Sequence, residues 1–106
     1  MARALINVPK RATRGEVIEL KTLISHPMET GYRPGPNGRI LPRDVIDRFT
    51  CAYNGEIVFS AELHPALAAN PYLVFTLVAT ESGTITLTWS GDNGFRQTET
   101  VPIEVA

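Results

Sequence analysis

Long hydrophobic runs, surplus charge of either sign and paired cysteines are all missing from this sequence, and each lack removes a class of protein. No apolar run approaches the roughly 20 residues that a membrane-spanning helix needs. Ten basic side chains stand against eleven acidic ones, for a formal charge of -1. Such a balance offers no electrostatic footprint for nucleic acid or for an anionic membrane surface. One cysteine, Cys51, can form no internal disulfide, so its redox compartment is not legible. The opening "MARALINVPKRATRGEV" lacks the apolar core, about 7–15 residues long, of a secretory signal. By itself that points to a cytoplasmic chain, or to one whose export signal is removed or belongs to another protein. The cations Arg3, Lys10, Arg11 and Arg14 crowd this opening and read as a solvated arm.

What is present is a β pattern. At 106 residues the chain is one domain, 1–106, with room for a single core. Gly, Pro and Asn punctuate short runs of Val, Ile, Thr, Phe and Tyr, and no stretch keeps a helical apolar period. Seven strands are expected: Ala4 to Val8, Glu16 to Ile24, Val45 to Tyr53, Glu56 to Leu63, Tyr72 to Thr80, Thr84 to Ser90 and Phe95 to Val105. Alternation is clearest where Ile85, Leu87 and Trp89 take one face and Thr84, Thr86, Thr88 and Ser90 the other, as in a half-buried strand. The third strand should turn Val45, Asp47, Phe49, Cys51 and Tyr53 to one face, which makes Cys51 a packed core thiol. Asn54-Gly55 is a two-residue hairpin turn, and "SGDNG" at 90–94 joins the last two strands. The expected fold is all-β: an immunoglobulin-like sandwich of two antiparallel sheets, with strands one, two and five in one sheet and the other four opposite. Pro102 is tolerable if the last strand lies at an edge.

Both histidines precede proline, in "SHPM" and "LHPA". The strand directions bring His26, His64 and the 91–94 turn to one end of the sandwich. The 25–44 connection there far exceeds the usual four to six residues, and loops of such length are commonly functional. A metal ion held by both histidines, with Glu29, Asp92 or Glu62, is one reading of that end. No HxxxH or CxxC pair accompanies them, and His-Pro alone explains why a ladder stops. Ser25 adjoins His26 but points to the opposite face in an extended strand, and no G-x-S-x-G elbow or phosphate loop exists. The residues therefore describe a non-catalytic binding domain without a cofactor. A stand-alone ligand- or protein-binding sandwich and a small histidine metalloprotein are the alternatives.

Four strings carry a family resemblance: "LKTLISHPMETG" (20–31), "GRILPRDVIDRFTCAYNG" (38–55), "VFSAELHPALAANPYLVF" (58–75) and "ESGTITLTWSGDNG" (81–94). Together they resemble SoxZ, the Z subunit of the Sox thiosulfate-oxidation carrier complex. That resemblance implies an immunoglobulin-like subunit in a heterodimer with SoxY, whose glycine-flanked C-terminal cysteine carries the covalent sulfur intermediates while other Sox enzymes visit. It implies a periplasmic location reached by co-export with SoxY. The sequence ends "TVPIEVA" without a Gly-Gly-Cys-Gly-Gly tail, so the carrier role does not transfer to Cys51. A scaffold and docking role remains. His26, Met28, Arg33, His64, Asn70 and Tyr72, which mix apolar, aromatic and hydrogen-bonding groups on the long-loop end, are the expected partner-binding residues. Without its partner the chain is expected to pair with itself through the vacant surface.

Overall fold

Turn chemistry and alternation place the strands. The computed structural model describes residues 3–63 and 69–106. Its strands are β1 (Ala4–Asn7), β2 (Arg11–Ala12), β3 (Val17–Ile24), β4 (Ile46–Tyr53), β5 (Glu56–Glu62), β6 (Tyr72–Val78), β7 (Gly83–Gly91) and β8 (Arg96–Val105). One sheet has the order β1-β3-β6, the other β2-β8-β7-β4-β5. This is the expected all-β sandwich, with one strand more among the described residues than the seven anticipated. The extra strand is β2, and it corrects the expectation of purely antiparallel sheets, because it pairs parallel with β8 at Glu104 and Val105. Two residues are too few to show a period. Ala12 is nevertheless buried, and Arg11 meets Glu104 at 3.1 Å, so part of the basic opening is folded against the last strand.

Between the sheets, Phe49 packs on Trp89 and Phe75 at ring-centroid distances of 5.1 and 5.6 Å, and Phe59 stacks on Phe75 at 4.4 Å. Leu20, Ile24, Ile85, Leu87 and Cys51 fill the space around them without exposed surface. Burying aromatics of this size, with edge and offset contacts, dominates the stability of so small a core.

The hairpin between β4 and β5 turns at Asn54 (φ 51°) and Gly55 (φ 85°), the paired positive angles that a two-residue turn requires. Asn54 also receives the Thr84 amide on its Oδ1 at 2.9 Å, which ties the turn to β7. The expected alternation in β4 fails at its start. Val45 and Ile46 are both buried while Asp47 and Arg48 are both exposed, because the β4–β7 register shifts between Ile46 and Arg48. One extra residue in a strand reverses the face of everything before it. Gly91 sits opposite this bulge, where a Cβ would lie 2.2 Å from the Val45 carbonyl oxygen. At the end of β8, Glu104 and, just past the strand, Ala106 turn their amides outward to the Lys10 and Ala12 carbonyls. Pro102 shares their side of the strand, so its missing N–H faces an edge rather than β7.

Candidate functional site

The long connection is a second, smaller β structure. Glu29 and Asp44 exchange amide–carbonyl hydrogen bonds at 2.7 and 2.8 Å, and Pro34 bridges Ile40 further out. Leu41 donates to Arg33 at 2.9 Å and Gly35 to Arg39 at 2.6 Å, closing the tip. Residues 29–44 thus form an arm, and the molecule measures 58 Å along one axis against 20 Å along the others. Tyr32 on it is 84% exposed, and Ile40 is exposed as well. Arg33 meets the Glu29 carboxylate at 2.6 Å, which holds that carboxyl below its ordinary value.

His26 is the root of this arm. Its backbone N–H donates to Asn70 Oδ1 at 2.9 Å, and its carbonyl accepts the Asn70 amide at 2.7 Å. Both loops at this end are thereby joined. The imidazole, 5% exposed, stands edge-on to Phe95 at 5.0 Å. Its Nδ1 accepts the Met28 amide at 3.1 Å, and its Nε2 lies 3.6 Å from Asp44 Oδ1. Met28 adopts φ 51°, which folds its side chain inward, and its Sδ accepts the Ile46 amide at 3.3 Å. Asp92, on the β7–β8 turn, receives Arg43 Nε at 2.7 Å and the Val45 amide at 3.1 Å. Arg43 first, and the Val45 amide second, hold the Asp92 carboxyl below its ordinary value.

The structure therefore divides the six expected partner-binding residues. Arg33, Asn70 and Tyr72 are exposed, the last on the outer face of the β1-β3-β6 sheet. His26 and Met28 are interior in the chain by itself, at the root of the arm. His64 lies outside the described residues. Asp44, Arg43 and Phe95 complete the root and were not singled out from sequence, since nothing local in "PRD" or "GFR" signals contacts with residues 18 to 69 positions away.

Among the described residues no three His, Cys, Asp or Glu side chains converge as a metal site demands. His26 already commits Nδ1 to a backbone amide. Cys51 has no exposed surface, and burial pushes its thiol up to about 11, so it holds little thiolate at neutral pH.

Comparison with known proteins adds what geometry alone does not. The model of the sulphur oxidation protein SoxZ family matches residues 6–102. The chain belongs to the SoxZ family. It is accordingly a component of the Sox sulfur-oxidation carrier system. No curated protein sequence matches it. Among solved structures, the SoxZ-family chain is similar to a superoxide reductase (neelaredoxin) from Ignicoccus hospitalis, at 15% identity and TM-score 0.75, over 97% of this chain and 80% of that one. It is also similar to the sulfur carrier protein SoxY from Chlorobium limicola f thiosulfatophilum, at 12% identity and TM-score 0.67, over 97% and 78% of the two chains. Identities this low establish a shared sandwich fold and nothing further about chemistry.

Proposed function

We propose that this chain is the non-catalytic scaffold of a SoxYZ-type heterodimer, which steadies a SoxY subunit whose C-terminal cysteine carries the sulfur intermediates. The observation that carries this reading is a contrast between the two outer sheet faces. Across β5, β4, β7 and β8 a single row reads Ser60, Thr50, Thr88 and Thr98, a solvated composition interrupted by exposed Ile57 and Val58 on the edge strand β5. Across β1, β3 and β6 the corresponding row reads Leu5, Leu23 and Tyr72, followed along β6 by exposed Val74 and Val78. Exposed apolar side chains gathered on one face of a small domain favour a partner there, here with Lys21, Glu19 and Thr76 among them. The buried, thiolate-poor Cys51 supports a carrier thiol supplied by that partner.

Arg33, Asn70 and Tyr72 then serve as contacts, for SoxY or for a visiting Sox enzyme, and His26 and Met28 serve by positioning the arm between them. His64 is assigned to the same end on its sequence position. Periplasmic location by co-export with SoxY follows from this partnership. No described helix is long and apolar enough to cross a membrane.

Coexpression with a cysteine-tailed SoxY tests the reading. A stable one-to-one complex is expected. Tyr72→Glu together with Val74→Glu should weaken it by about 100-fold or more, as loss of central apolar anchors does. Thr88→Glu, on the Ser/Thr face, should leave it intact. A chain that stays monomeric at all concentrations and ignores SoxY is instead a stand-alone sandwich.

A further inference from the structure

We propose that His26 is a pH-dependent latch on the projecting arm, holding its root closed when the imidazole is neutral and releasing it when the imidazole is charged. The reason lies in the direction of one hydrogen bond. Met28 N–H donates to Nδ1 at 3.1 Å in a site that is 5% exposed. Nδ1 can accept only while it carries no proton. Protonation would set two N–H groups against each other at that distance, in a site largely closed to solvent. Imidazole is the side chain that ordinarily changes charge between about pH 5 and 8.

The charged groups around the ring set how the latch opens. Asp44, on the returning strand of the arm, lies 3.6 Å from Nε2. Asp92, on the β7–β8 turn, also feels the imidazole, but Arg43 already occupies both of its oxygens. The Glu29 carboxylate is turned to Arg33. Phe95 and Asn70, which touch His26 from β8's approach and from the 63–71 connection, bear no charge. Among the described residues, Asp44 is thus the carboxylate free to pair with an imidazolium. Protonation strengthens the hold on Asp44 at Nε2 while it breaks the hold on Met28 at Nδ1. The two strands of the arm's root are pulled unequally, and the Glu29–Asp44 bridge between them is the joint that must give.

Amide hydrogen exchange on the full chain, followed by NMR from pH 8 to pH 5 and corrected for intrinsic rates, reads this directly. Protection at Met28 should fall by about tenfold, the size expected when one buried hydrogen bond is lost. Glu29 and Asp44 should follow, while Cys51 in β4 keeps its protection. In His26→Asn, Oδ1 can accept the same amide and does not titrate, so protection should stay flat. Flat protection in the unaltered chain, or an equal loss in His26→Asn, overturns the proposal. If His26→Asn does not fold, the ¹⁵N shift of Nδ1 in the unaltered chain decides. It must move in step with Met28 protection, and an imidazole that titrates while Met28 stays protected overturns the latch.

Discussion

Cys51 faces the core between the sheets, paired with Phe59 on β5 and Leu87 on β7 and without exposed surface. Its thiol is pushed up to about 11 by burial. A thiol raised on folding favours the fold below its unfolded value and withdraws that support as pH climbs through the folded one. Thiol reagents should therefore leave the native protein essentially unlabelled at pH 8 and label it fully in denaturant, by mass spectrometry. Rapid native labelling would place Cys51 at the surface and reopen its role. Replacing Phe49 by Ala should cost about 3–5 kcal/mol in urea unfolding, because a cavity would open between Trp89 and Phe75. These interior positions were legible in the sequence, since strict alternation from Phe49 to Tyr53 leaves Cys51 nowhere else to point. His26 was not: a histidine before a proline reads the same whether its ring is outside or, as here, beneath a loop.

At the scale of elements, the bulge at the start of β4 and the β7–β8 turn act together. Gly91 allows the two backbones to approach, and Gly91→Ala should lower stability by about 1–3 kcal/mol through overpacking against the Val45 carbonyl. Urea unfolding monitored by Trp89 fluorescence measures this, and an unchanged midpoint would mean the bulge relaxes. Next to it, Asp92 clamps Arg43 and the Val45 amide. A carboxyl whose value is lowered on folding stabilises the fold above its unfolded value, here 3.8, and loses that contribution as pH falls through the folded one. The stability deficit of Asp92→Asn should accordingly be seen at pH 7 and shrink below about pH 4. The hairpin at Asn54-Gly55 could be read from two letters because only certain residues accept its backbone angles. The bulge could not, since an inserted residue shows itself only through the strand it faces.

For the whole molecule, asymmetry matters more than any single contact. One outer face is mostly Ser and Thr, with exposed Ile57 and Val58 only at its β5 edge, and the other carries Leu5, Tyr72, Val74 and Val78 in the open. Without SoxY, sedimentation of the chain should show concentration-dependent self-association that Tyr72→Glu and Val74→Glu suppress. A strict monomer across concentrations would argue that this face covers too little area for a stable partner. The arm belongs to this scale too, since no residue of 29–44 adds to the main core and its projection is costly unless something meets it.

Sequence by itself determined the seven longer strands, their grouping into two sheets and the end at which the long connections gather, because alternation, turn residues and strand direction are local quantities that add up along the chain. Only the tertiary structure decided that the long connection is a bridged arm, that His26 and Met28 lie beneath it rather than on it, and that Arg11–Ala12 pairs with the last strand. Each of those depends on a partner far away in sequence, and the hydrogen bond or buried surface that settles it exists only once the two segments have met.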